Sequence, residues 1–128
     1  MGQFFLVCAA GAAGTGCRYA IGLLAARLLG ANFPYGTLTV NILGCFLMAF
    51  VMHVGLEAQM LSPTTRITLT TGFMGGLTTY SSFNFETTRF VQERAWTSGI
   101  LYLVLTIAIC FASGLVGLVA ARRFVAAS

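Results

Sequence analysis

The side chains able to do chemistry in this chain are few, mostly uncharged, and grouped. The densest group is Gly72-Phe73-Met74-Gly75-Gly76-Leu77-Thr78-Thr79-Tyr80-Ser81-Ser82-Phe83. Three glycines in five residues, followed by Thr-Thr and Ser-Ser, make a poor continuous helix, and the run predicts a break near 75–79. Carbonyl oxygens released by such a break suit a hard cation such as Na⁺. The same residues also fit a tight helix crossing, with the hydroxyls bonded back to their own helix. Tyr80 and Phe83 lie three apart and share a helical face. An aromatic ring has a positive edge, so such a pair can flank an anion while keeping water out, or can simply pack.

Asn41, in the run Gly36-Thr37-Leu38-Thr39-Val40-Asn41, carries an amide with two donors and an acceptor oxygen. It reads equally as glue between helices or as an N–H aimed at a permeating anion. Arg18 lies inside an apolar stretch, where a charge costs several kcal/mol unless it snorkels, pairs or lines water. Tyr102 and Thr106, with Cys110 and Ser113 beyond them, form a weakly polar stripe. His53 is expected at an interface, with no role. Cys8, Cys17, Cys45 and Cys110 show no CxxC or Cys/His ligand spacing, and read as small apolar packing residues.

The elements that carry these groups are apolar throughout. Of 128 residues, 58% are hydrophobic and 8% charged, and the mean hydropathy is +0.89. A soluble surface needs about a quarter charged residues, so a soluble enzyme, a nucleic-acid binder and a disordered tail are excluded. Four charge-poor runs, about 4–26, 36–56, 67–85 and 98–121, approach the roughly 20 residues that span a bilayer. The expectation is a single all-α transmembrane domain over 1–128, with four helices, the third broken in mid-membrane. No basic residue precedes the first run, so it does not read as a cleaved signal peptide.

Charge does not orient this chain. With four spans, Arg66, Arg122 and Arg123 fall on one side and Arg27, Arg89 and Arg94 on the other. Either a weak signal breaks the tie, or the chain inserts both ways and pairs as an antiparallel homodimer. Spacings such as Gly72/Gly76, Ala12/Gly16, Ala108/Ala112 and Ser113/Gly117 would let helices approach closely.

The runs at 36–41 and 72–83, with Gly14-Thr15-Gly16-Cys17-Arg18-Tyr19, resemble the Fluc (CrcB) fluoride channels over essentially the whole chain. The resemblance implies a dual-topology antiparallel homodimer in the bacterial inner membrane that passively exports F⁻ through two pores. By motif it makes Asn41 the pore amide, Phe83 one aromatic of the pore pair, and Tyr80 the occupant of the other position. It implies that Gly75 and Thr78 give backbone carbonyls to a central structural Na⁺. Ser81, Ser82, Tyr102 and Thr106 fall on the family's polar track, and Arg18 falls in its vestibule. The family pattern Thr-Thr-Phe-Ser-Thr-Phe departs here at Tyr80 and Ser82. The alternatives are a small multidrug-resistance-like proton/cation antiporter and a non-transporting membrane subunit. The antiporter needs a mid-membrane carboxylate, and none is expected, because Glu57 and Glu93 read as loop residues and Glu86 as a helix end.

Overall fold

The computed structural model describes all 128 residues, and the chain is helical almost throughout. Helix α1 spans Gly2–Leu29. Helix α2 spans Tyr35–Met52 and continues through one wide turn, His53–Glu57. Helix α3 begins at Pro63–Ile67, widens over Thr68–Met74 and closes with Gly75–Leu77. Helix α4 spans Tyr80–Gln92, and α5 spans Trp96–Ala126. α1, Tyr35–Glu57 and α5 are each long and apolar enough to cross a membrane unbroken. The expected third span, 67–85, is divided between α3 and α4.

Local signals fix the ends of α3 and α4. Ser62 is extended (φ −62°, ψ 150°), and its hydroxyl accepts the Thr65 amide at 3.1 Å, with Pro63 in the first turn. Thr79 does the same for α4, its Oγ1 accepting the Ser82 amide at 3.2 Å. The break falls at Thr78 and Thr79, within the expected 75–79, and 75–77 remain helical. A Cβ at Gly72 would press on Ala10 and Val7 of α1, and one at Gly76 would collide with the Gly11 backbone. Those glycines build the α1–α3 crossing, whose other wall is Gly14 beneath Phe73.

The second crossing joins α2 to α5. A Cβ at Gly117 would collide with the Phe46 carbonyl, and Ser113 Oγ donates to Ile42 O at 2.8 Å. This is the Ser113/Gly117 spacing in use. Only 17 of 128 residues are buried, among them Val40, Met74, Leu77 and Tyr102. The chain exposes 7995 Å², where a compact monomer of this mass exposes about 6,600 Å². Phe4, Leu28, Phe85, Ile107 and Phe111 are all more than half exposed, so lipid or another protein must cover them. Glu57, expected in a loop, closes the wide turn of α2, its Oε2 lying 2.7 Å from His53 Nδ1.

Candidate functional site

The site is built around the peptide that the α3–α4 break sets free. Thr78 (φ −84°, ψ 156°) and Thr79 (φ −152°, ψ 114°) are extended, so the Thr79 amide and the Thr78 carbonyl leave the helical ladder, while the Thr78 amide still donates to Met74 O at 2.9 Å. Backbone polar groups at membrane depth require partners inside the protein. Asn41 on α2 supplies two: its Oδ1 accepts the Thr79 N–H at 2.9 Å and its Nδ2 donates to Thr79 O at 3.1 Å. A primary amide presents the same donor–acceptor pair as a peptide, so the fit is two-point. One of its two N–H groups is left over. Gly44, one turn further along α2, makes room for the Thr78 methyl.

The same bonds strip two carbonyls of their helical donors. In an unbroken helix the Thr79 amide would close onto Gly75 O and the Ser82 amide onto Thr78 O. The first donates to Asn41 instead and the second to Thr79 Oγ1. Gly75 is exposed, and a Cβ there would meet nothing nearer than Thr70 O at 3.8 Å. No cluster of three His, Cys, Asp or Glu side chains exists, so a cation near the break would be held by backbone oxygen.

Beside Asn41 opens a cavity of about 720 Å³ between α2 and α5. Thr79, Tyr80, Phe83, Thr106 and Cys110 line it together with Asn41. The Tyr80 and Phe83 rings sit 5.9 Å apart and tilted by 57°. Tyr80 is 78% exposed and Phe83 only 7%, so the ring pair has one free face and one packed one. Phe83 in turn meets Tyr102 edge-on at 5.3 Å. Thr106 lines the cavity from α5, and its Oγ1 is buried without a hydrogen bond of good geometry.

Tyr102 is fully buried, and its hydroxyl donates to Glu86 Oε2 at 2.7 Å. Thr37 Oγ1 donates to Glu86 Oε1, also at 2.7 Å. Glu86 is the functional candidate that sequence reasoning missed. It stands well inside α4, not at a helix end, with both carboxylate oxygens held by hydroxyls of other helices. The signal was present in the spacing: Phe83, Glu86 and Phe90 continue the Tyr80 face at helical intervals. Glu86 also borders an outer hollow of about 230 Å³ with Asn32, Arg89 and Glu93.

Arg18 is half-buried and makes no ion pair; the close ion pair of the chain is Arg89–Glu93. It lines a separate hollow of about 360 Å³ with Thr15, Thr37, Thr79 and Ser82. Thr79 and Thr37 therefore connect the three spaces: Thr79 borders the Arg18 hollow and the large cavity, and Thr37 reaches from the Arg18 hollow to Glu86. Ser81 is exposed and sits apart from both spaces, its hydroxyl 3.2 Å from Thr79 Oγ1.

Residues 5–118 match the family described as CrcB-like protein, Camphor Resistance (CrcB). The chain is 43% identical over 126 residues to a fluoride-specific ion channel FluC of Sorangium cellulosum, covering 98% of this chain and 99% of that one. It is 39% identical over 127 residues to the protein of that name in Caulobacter vibrioides, covering 96% and 98%. With the one from Geobacter sp. it shares 37% over 122 residues, covering 95% and 98%.

Proposed function

The chain belongs to the CrcB family, and on that premise we propose that it is a fluoride-specific channel that lets F⁻ leave the cell. It is a multi-pass membrane protein of the bacterial inner membrane type, and a channel rather than an enzyme. The observation that carries the proposal is one cavity wall shared by the Asn41 amide, the Thr106 hydroxyl and the Tyr80–Phe83 ring pair.

Fluoride is small and tightly hydrated, so a pore must replace its water with strong donors at short range. The free Asn41 N–H and the Thr106 hydroxyl are such donors. The ring edges of Tyr80 and Phe83 add a weakly positive, water-excluding wall that a larger halide fits poorly. Arg18 draws anions into the outer hollow it shares with Ser82 and Thr37. Tyr102 and Thr37 hold the Glu86 carboxylate at the far side of the ring pair, where it has a fixed place instead of a free swing. Ser81 and Ser82 keep Thr79 oriented at the break.

The active unit is an antiparallel homodimer with two pores. Three features support this: the equal Arg count on the two sides, the 78% exposure of Tyr80, and the apolar surface in excess of a compact monomer. A second copy turned over would cover that face and close the open side of the cavity. A central Na⁺ held by Gly75 and Thr78 carbonyls of both copies fits the chemistry of the break, since these two oxygens have lost their helical donors. When bound, the ion supplies a fixed positive charge that ties the two breaks together.

The test is efflux from proteoliposomes loaded with KF or KCl, started by a K⁺ ionophore and followed with anion electrodes. Rapid F⁻ release with Cl⁻ retained, at a rate indifferent to an imposed pH gradient, is the expected result. F⁻ release driven by the pH gradient would assign Glu86 to proton coupling, and no release from a folded dimer would remove the channel reading.

A further inference from the structure

In the loop between α1 and α2, Ala31 and Asn32 are exposed while Phe33 reaches inward. Pro34 (φ −80°, ψ 60°) makes a tight inverse γ-turn there, with the Tyr35 amide donating to Phe33 O at 2.8 Å. Pro34 O then accepts the Leu38 amide at 3.1 Å as α2 begins. Phe33 is therefore tied to the first turn of α2, four residues before Thr37. Its ring meets the Tyr102 ring edge-on, with centroids 5.3 Å apart and planes at 83°. It also lies 4.9 Å from the Tyr35 ring and 6.4 Å from that of Phe90. Phe83 and Phe90, on α4, approach Tyr102 edge-on as well, at 5.3 and 6.1 Å. Gly99 on α5 leaves room for Phe90, since a Cβ there would stand 3.1 Å from the Phe90 Cβ. Three phenylalanine rings thus enclose one tyrosine that has no exposed surface, and its hydroxyl comes out of that cage onto Glu86.

We propose that Phe33 is a positioning residue for conduction: from a loop it fixes the Tyr102 ring, and with Thr37 it keeps the Glu86 carboxylate in one place at the far side of the ring pair. The start of α2 grips the Tyr102–Glu86 bond from both ends. Thr37 Oγ1 holds one carboxylate oxygen, and Phe33 backs the ring whose hydroxyl holds the other. A hydroxyl–carboxylate bond is short and strong because the acceptor is charged, but it lasts only while the ring keeps one rotamer. Phe83 and Phe90 ride on the same helix as Glu86 and move with it. Phe33 comes from a different element, so it registers Tyr102 against the end of α2 that carries Thr37. Its neighbours Asn32 and Pro34 border the outer hollow together with Glu86 and Phe90. Without the Phe33 ring, Tyr102 gains space on that side into which it can swing, and Glu86 loses a donor. The part that Glu86 plays in conduction rests on the channel reading above; the positioning of Tyr102 does not.

The test reads Glu86 directly in the full-length protein in liposomes. The chain has three glutamates and no aspartate, so ¹³C labelling of the glutamate carboxyls gives three side-chain signals by solid-state NMR, and Glu86→Gln identifies one of them. Phe33→Leu should move the Glu86 signal toward the position it takes in Tyr102→Phe and leave that of Glu57 in place. The same variant should slow F⁻ efflux by about threefold to tenfold, the worth of an edge-on ring pair. Phe33→Tyr keeps the ring, and both signal and rate should stay those of the parent. In a Tyr102→Phe background, Phe33→Leu should change neither any further, because the hydroxyl it positions is gone. An unmoved Glu86 signal in Phe33→Leu would overturn the proposal, and so would an equal slowing with and without the Tyr102 hydroxyl. A moved signal with unchanged efflux would remove Phe33 from conduction. Absence of F⁻ efflux from the parent would count against the channel reading alone, and the Glu86 signal would still decide the positioning.

Discussion

Asn41→Asp isolates the amide that the site is built around. The substitution keeps size and shape but replaces an NH₂ donor by a carboxylate oxygen. Oδ1 can still accept the Thr79 N–H, now seen at 2.9 Å, whereas the 3.1 Å bond to Thr79 O becomes a contact between two acceptors. Losing that bond and setting a carboxylate oxygen against the buried Thr79 carbonyl costs about 1–3 kcal/mol of local stability. The greater effect is on the ion. A carboxylate about 4 Å from a passing anion, at an effective dielectric of about 20, repels it by about 4 kcal/mol, or about a thousandfold in occupancy. F⁻ efflux from proteoliposomes should therefore fall by about three orders of magnitude, while the protein still elutes as an intact dimer. Acidification from about pH 7.5 to about pH 5 should restore part of the flux, because a protonated carboxyl is neutral and can donate to Thr79 O again. Flux within threefold of the parent at neutral pH would show that ions do not pass Asn41.

Tyr80→Phe removes a hydroxyl from a largely exposed ring and keeps the pair with Phe83; thermal stability should stay within about 0.5 kcal/mol and F⁻ should still be preferred over Cl⁻, as electrode traces would report. Tyr102→Phe leaves Glu86 with Thr37 as its single hydroxyl donor, so efflux should slow while detergent stability drops by about 1–3 kcal/mol; an unchanged rate would detach Glu86 from the path. Gly117→Leu forces α5 away from the Phe46 backbone and should lower the temperature at which folded protein survives heating in detergent, by well over the effect of Leu at the open Gly16 position. Exchanging Na⁺ for a large organic cation should weaken the dimer or silence efflux, with recovery on adding Na⁺ back; equal behaviour in both salts would remove the ion from Gly75 and Thr78.

The sequence alone determined the class of this protein and most of its linear plan. Long charge-poor apolar runs state the solvent, so α1, α2 and α5 overlie the three expected runs; α1 and α5 extend a few residues beyond them, and α2 reaches the end of its run only through the wide turn. The family was legible as well, because motifs at 36–41 and 72–83 are local strings. The helix break was legible only in outline. Composition pointed to 75–79; the structure places the opening at the two threonines at the end of that run, while Gly72 and Gly76 serve the crossing with α1.

What tertiary structure decided is which distant groups meet. Asn41 reaches Thr79 across 38 residues of chain, Thr37 reaches Glu86 across 49, and Ser113 reaches Ile42 across 71. Helical periodicity reports which face a residue is on, and nothing about which other face that one will meet. Glu86 looked like a residue at a helix end because its two partners lie on other helices. In a membrane the hydrophobic effect does not choose among helix faces, so close approach at small residues and satisfaction of buried polar groups must do so. Those are pairwise, three-dimensional conditions, and only the folded chain states them.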